Sequence, residues 1–266
     1  MDDHAFARRY GPTALITGAA MGIGAAYAER FARMGLGLVL VDRDADALRA
    51  QEQHIGSRVA VRSVVADLAD PIEVDRVLTA VADVEIGLFV ANAAHAATAP
   101  WLQIPVEDKL RQIRVNCVAV TQMVDGLSRA MVARRRGGII IMSSLAGRIG
   151  SPRVATYAAT KAFDLILAES LWAELAPHGV DVLAVLPGQT HTPGFDGSLT
   201  PRSRLPKVRV MRPEEVVDTA VSALGAGPLV IAGRANRFAS ELLQRVMPRK
   251  RAIGVMTRSM RAMYPD

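Results

Sequence analysis

The sequence predicts an α/β fold, a doubly wound parallel sheet of about seven strands. Short continuous apolar runs such as 36–41 and 139–142 alternate with longer segments whose apolar residues recur at helical spacing. Such runs mark strands buried on both faces, the condition of a parallel sheet covered by helices. Half of the 266 residues are apolar and 22% are charged, enough to fill a large core.

The elements follow in order. Residues 13–16 form a first strand, glycines interrupt, and 25–34 repeat apolar residues as a helix does. The run 36–41 is a second strand, followed by a helix over 44–54. The segments 58–65 and 70–82 repeat the alternation. A fourth strand covers 86–90, a long helix 107–135, and a fifth strand 138–142 behind the Gly137-Gly138 turn. A helix over 156–176 ends at Pro177 and Gly179. A sixth strand spans 180–185, a helix opened by Pro213 spans 213–224, and a short seventh strand covers 229–231. Repeated β-α units with right-handed crossovers build the doubly wound sheet. Residues 187–212, with four prolines, read as a long loop over the carboxyl ends of the strands. Phe238, Leu242, Leu243, Val246 and Met247 fall on one helical face over 236–247, and Pro248 with the basic cluster after it is expected to end that pattern.

No linker divides the chain, so one domain over residues 1–266 is expected. Its one cysteine, Cys117, has no disulfide partner, and its first residues lack the order of a signal peptide, which points to the cytoplasm. No apolar stretch approaches the roughly 18 to 20 residues that span a bilayer. Eight of the 32 basic residues lie beyond position 233, with only Glu241 and Asp266 to oppose them, so residues 1–233 carry 24 of each sign. The +6 net charge therefore belongs to the C-terminal extension, 234–266. That extension has no aromatic interleaving or nucleic-acid module. Its charge suits an anionic membrane surface or an acidic substrate, or a docked helix with a solvated end.

After the first strand the chain reads Thr17-Gly18-Ala19-Ala20-Met21-Gly22-Ile23-Gly24. Glycines at this turn admit a pyrophosphate to the backbone, and the helix that follows presents free N–H groups. Asp42 ends the second strand eighteen residues after Gly24, where a carboxylate accepts from adenosine ribose hydroxyls and repels a 2′-phosphate. NAD is favoured over NADP, although the adjacent Arg43 suits a 2′-phosphate.

That turn, with Asn92 in Ala91-Asn92-Ala93-Ala94, Asn116, Ser144, Tyr157 and Lys161, resembles the short-chain dehydrogenase/reductase family from about residue 12 to 232, within its Rossmann-type fold. The expected chemistry is hydride transfer between a nicotinamide and an apolar secondary alcohol or ketone. A ketone oxygen needs a proton donor, and a free phenol with a pKa of about 10 cycles poorly near neutrality. Lys161, one helical turn from Tyr157, supplies an ammonium that stabilises the phenolate. Ser144 is placed to hydrogen-bond the substrate oxygen, with Ser143 the weaker candidate.

The resemblance implies further roles. Lys161 holds the nicotinamide ribose, Asn116 a relay water, and Asp67 contacts adenine. Pro187, Gly188, Thr190 and Thr192 lie beside the carboxamide. With Gly18, Met21, Gly22, Ile23, Gly24, Asp42, Arg43, Leu68, Asn92, Ala93, Tyr157 and Lys161 they make up the expected cofactor set, and no metal is expected. Where the family usually carries Asn-Asn-Ala-Gly, this chain has Ala94 in the last place, adding a methyl group near the cofactor. The helices over 107–135 and 156–176 are implied to join subunits as a dimer or tetramer. His95 and Trp101 are candidates for the substrate cleft but read more simply as a surface histidine and a packing tryptophan. Two alternatives stay open: a cofactor-sensing binding protein on this fold, and a ketoacyl- or hydroxysteroid-type reductase held at a membrane surface by the basic extension.

Overall fold

The computed structural model describes residues 2–204, 209–245 and 247–265. Seven parallel strands form one sheet in the order β3-β2-β1-β4-β5-β6-β7. They are β1 (Thr13–Thr17), β2 (Gly37–Asp42), β3 (Val61–Val65), β4 (Ile86–Ala91), β5 (Gly137–Met142), β6 (Val180–Leu186) and β7 (Leu229–Ile231). The order reverses between β1 and β4, and the crevice there opens at the carboxyl ends of the strands, where ligands of open α/β sheets bind.

Burial explains the near-continuous apolar strands: every residue of β4 and β5 is buried. One core layer packs α2 (Gly22–Arg33) and α9 (Pro213–Ala223) on the sheet; the other packs α4 (Pro71–Ala80), α6 (Ala119–Ala133) and α7 (Ala155–Leu175) on the opposite face. The helix α3 (Ala45–Ile55) begins at Asp44, whose side chain accepts from the Ala47 N–H.

Several boundaries differ from the sequence reading. An N-terminal helix α1 (Asp3–Tyr10) precedes β1; only Phe6 and Tyr10, one turn apart, are buried, too weak a stripe to detect by periodicity. The expected helix over 107–135 is broken: α5 (Val106–Ile113) passes through a π turn at Arg114–Val118 before α6. Such a turn widens the helix by one residue and often sits at a functional site.

The C-terminal region holds two helices. The helix α10 (Arg234–Arg245) is followed, after Pro248, by a second helix, α11 (Arg249–Met263), the docked helix with a solvated end that the sequence had left open. Ala252, Met260 and Met263 of α11 are buried, whereas Arg249, Lys250, Arg251, Arg258 and Arg261 are exposed. The charges occupy one side of an amphipathic helix whose apolar side is docked, so the extension continues the fold. Val246, placed on the apolar face of the preceding helix, lies outside the described residues, as does Pro206 of the expected loop. That loop carries a short helix, α8 (Pro193–Asp196), and a bridge from Thr190 to Met211.

Candidate active site

The glycine turn closes tightly on itself. Gly18 and Gly22 have φ of +64° and +58°, the left-handed region that penalises any side chain. A Cβ on Gly18 would stand 2.9 Å from Ala93 Cα, so the turn also abuts the segment leaving β4. Asn92 fixes that contact: its Nδ2 donates to the carbonyls of Thr17 (3.0 Å) and Gly18 (3.1 Å), while the Asn92 and Ala93 N–H groups both donate to Thr17 Oγ1. Ala94 is exposed, so its extra methyl group is housed without displacing a core residue.

Asp42 lies beside this turn. Its Oδ2 accepts from the Ala20 N–H at 3.0 Å and its Oδ1 from the Asp44 N–H at 3.1 Å, leaving a lone pair on each oxygen for ribose hydroxyls. Arg43 is exposed. Asp67 is clamped by Arg111 Nη2 at 2.7 and 2.9 Å and accepts from the Ala69 N–H. Burial raises its pKa, but Arg111 and the Ala69 N–H more than offset that and hold the carboxyl below the ordinary range. Leu68 is buried next to it. The cradle that only glycine permits, the free lone pairs of Asp42 and the helix that starts at Gly22 fit a dinucleotide. Met21 and Ile23 flank Gly22 at that helix start, and Ile23 reaches the cavity described next.

At the other end of the crevice, β5 and α7 bring Ser144, Tyr157 and Lys161 together. Ser144 caps a short 3-10 turn, Leu145–Arg148, accepting from the Ala146 N–H at 3.2 Å, so its own O–H remains available to donate. Tyr157 lines the same cavity as Ser144. Ser143 is buried and donates to the Lys161 carbonyl at 2.6 Å, a role in the fold. The Lys161 amine is 5.8 Å from the centre of the Tyr157 ring and donates to the Met142 carbonyl (2.7 Å) and Asp164 Oδ2 (2.9 Å). Burial pulls the lysine pKa down, but Asp164 and Tyr157 outweigh it and hold the ammonium above its ordinary value.

Asn116 sits in the π turn, fully buried. Its Oδ1 accepts from the His95 N–H (2.8 Å), and its Nδ2 donates to the His95 carbonyl (3.0 Å) and Thr160 Oγ1 (2.9 Å). Both amide hydrogens are thus engaged, and the side chain ties the segment following β4 to α7. Cys117, beside it, is half-buried, and burial pushes its thiol up to about 11, the behaviour of a packed residue.

Ser144 and Tyr157 open into a cavity of about 380 Å³. Pro187, Gly188, Thr190 and Thr192 form one side, with Thr192 Oγ1 capping α8 by accepting from the Phe195 N–H. Ile149, Val154 and Phe195 line it further, and α11 covers it with Met256, Met260 and Met263. The cover is tied to the loop through Arg204 N–H to the Ala262 carbonyl (2.8 Å) and Gln189 Nε2 to Met263 Sδ (3.4 Å). Neither His95 nor Trp101 lines this cavity; Trp101 is 54% exposed with Lys109 stacked 4.2 Å above its ring.

Sequence reasoning overlooked two features. The methionines of α11 recur at spacings of four and three residues, a helical pattern that the surrounding arginines obscured. Asp164 stands three residues after Lys161, a spacing that puts both on one helix face.

The family model described as short chain dehydrogenase matches residues 12–201. The chain belongs to this family. It is 37% identical over 203 residues to a sorbitol dehydrogenase from Cereibacter sphaeroides, covering 74% of this chain and 78% of that protein. The structure of a 7beta-hydroxysteroid dehydrogenase superposes with a TM-score of 0.87 at 29% identity, covering 94% of this chain and 98% of that one. A short-chain dehydrogenase from Sphingobium yanoikuyae in complex with NADPH matches with a TM-score of 0.77 at 34% identity, covering 90% and 97%. The short-chain dehydrogenase is thus an oxidoreductase of alcohol or ketone substrates with an NAD(P) fold. No helix among its described residues is long and apolar enough to cross a membrane.

Proposed function

We propose that this short-chain dehydrogenase interconverts a bulky apolar secondary alcohol and its ketone, with Tyr157 as acid/base. The observation that carries this reading is the apolar cavity, closed by the methionines of α11, that ends on Tyr157 and Ser144. A cavity of this volume and lining suits a compound of roughly drug-like or steroid-like size, bound mainly by its surface and oriented by a few polar groups. The similarity to a 7beta-hydroxysteroid dehydrogenase over nearly the whole chain supports the same size class.

The chemistry follows from the side chains. A nicotinamide dinucleotide held by the glycine turn, Asp42 and Lys161 would supply or accept the hydride. The Ser144 hydroxyl, free to donate, orients the substrate oxygen and stabilises charge growing on it. In the reductive direction Tyr157 gives its phenolic proton to that oxygen, and in the oxidative direction it takes the proton back. Lys161 keeps a positive charge next to the ring, so the phenolate is less costly than in water. Its amine has three hydrogens and two are engaged within the protein, leaving one to face the ribose or the phenolate. Asn116 positions α7 relative to β4.

NAD is the preferred cofactor in this reading because Asp42 keeps acceptor capacity beside the turn; exposed Arg43 and the NADPH-bound relative give NADP a competing claim. The protein acts as one catalytic domain in the cytoplasm, assembled as a dimer or tetramer through α5, α6 and α7. Exposed Leu110, Ile113, Phe163 and Ile166 on those helices support the assembly. The exposed arginines of α11 support a second reading, contact with an anionic membrane surface, tested by liposome co-sedimentation.

The decisive experiment is a screen of cyclic and acyclic ketones and alcohols of increasing size, run with NAD(H) and NADP(H) in parallel. The proposal expects turnover to rise with substrate bulk and to favour NAD(H). Cofactor binding with no turnover on any member would instead make the chain a cofactor-sensing protein.

A further inference from the structure

Lys161 and Asp164 form an ion pair inside the protein: the amine and the carboxylate are 2.9 Å apart, and their side chains are 4% and 1% exposed. The second carboxylate oxygen, Asp164 Oδ1, is buried with no hydrogen-bond partner among the described residues. A half-satisfied carboxylate in a core is destabilising, and an apolar side chain in that place usually serves stability better. The surroundings would accept one, since Leu165 and Ala168 of the same helix are buried in the hydrophobic layer. Packing therefore does not account for the aspartate. Among the described residues, its side chain pairs only with the amine that stands next to Tyr157.

We propose that Asp164 is a positioning residue that keeps Lys161 charged and aimed within the site. The inference rests on the proposed role of Tyr157 as acid/base. Taken alone, a lysine buried to this extent tends to lose its proton, and a neutral amine gives a phenolate no support. The groups facing the amine are few among the described residues. Its own helix presents Asp164 and Tyr157, the π turn presents Cys117, and β5 presents the Met142 carbonyl. With Cys117 held as a neutral thiol, Asp164 is the anion that retains the ammonium. Burial in turn raises the Asp164 pKa despite Lys161, so its own charge is maintained by the pairing. The Met142 carbonyl and Asp164 together fix two of the three amine hydrogens, which sets the direction of the third.

The first test needs no turnover. The ε-carbon resonance of Lys161, assigned by its loss in Lys161→Arg, is followed with pH in the protein loaded with its cofactor. The proposal expects Lys161 to titrate above the ordinary lysine value of about 10.4, and to titrate at least about one unit lower in Asp164→Asn. A wild-type titration below the ordinary value, or one unmoved by Asp164→Asn, overturns it. If Asp164→Asn does not fold, the wild-type titration alone decides.

The second test is the pH profile of alcohol oxidation. Removing a buried negative charge makes both protons of the Tyr157 and Lys161 pair easier to lose. In Asp164→Asn the rising limb therefore moves to lower pH and a falling limb enters the alkaline range, whereas Asp164→Glu restores the wild-type shape. A profile lowered uniformly, with both limbs in place, shows a merely structural role and overturns the proposal. Absence of turnover in the wild type would sink the acid/base reading of Tyr157 and leave the resonance measurement to judge Asp164 independently.

Discussion

Gly24 packs against the carbonyl of Gly18 so closely that a Cβ added to Gly24 would stand 1.9 Å from that oxygen. The contact holds the first turn of α2 against the end of β1 and gives the glycine turn its shape. Gly24→Ala is therefore expected to weaken cofactor binding at least about tenfold and to lower stability by about 1–3 kcal/mol, the usual cost of overpacking. Cofactor titration by fluorescence and denaturant unfolding read the two effects, and wild-type affinity in the variant would contradict the cradle assignment.

Tyr157→Phe removes only the phenolic oxygen. Turnover is expected to fall by a factor of about 10² to 10⁴, the range for a lost general acid, while cofactor affinity stays within about twofold. Steady-state rates beside equilibrium binding separate these quantities.

Asp42→Ala removes the acceptor for the ribose hydroxyls together with the charge that opposes a 2′-phosphate. Hydrogen bonds to charged groups are worth about 1.5–3 kcal/mol, so the NAD-over-NADP ratio of kcat/KM should drop by at least about tenfold. An unchanged ratio would move cofactor discrimination to Arg43.

Met256 contributes to the cavity wall from a half-buried position on α11. Met256→Trp should raise KM for bulky ketones by about tenfold or more and leave small ketones nearly unaffected, since a change of about one methylene in an apolar pocket is worth about 1–3 kcal/mol. A parallel increase for small and large substrates would place the binding site elsewhere.

Glu29 accepts from Arg58 at 2.6 and 2.7 Å, and that hydrogen bond, against partial burial and with Arg33 assisting, lowers its pKa from 4.5 to about 2. A depressed carboxyl contributes stability above its unfolded pKa and loses it as pH falls through the folded one, so the contribution should fade between pH 4.5 and about 2. With the pair near the surface, solvent screening limits the effect to about 1 kcal/mol or less. Unfolding midpoints of the wild type and Glu29→Gln should converge toward pH 2.

Much of this architecture was legible because the decisive residues act locally. Gly18, Gly22 and Gly24 announce a backbone conformation, Tyr157 and Lys161 a single helical turn, and the buried runs of β4 and β5 a sheet covered on both sides. What escaped detection depends on tertiary contact. The seating of the α11 methionines over the cavity depends on contacts that spacing does not report, and so does the π turn, where Asn116 bridges the segment after β4 to α7. The ion pair of Asp67, whose adenine contact rested on resemblance, with Arg111 forty-four residues away is a tertiary contact of the same kind. Asp164 was passed over because an acidic residue on a long helix is ordinarily a solvent-facing one.

The glycine turn, Asp42, Ser144, Tyr157 and Lys161 are held by β1, α2, β2, β5 and α7, while Met256, Met260 and Met263 of α11 close the cavity from outside the sheet. Substitutions confined to α11 can thus reshape the cavity while leaving the glycine turn and the Tyr157 and Lys161 pair in place.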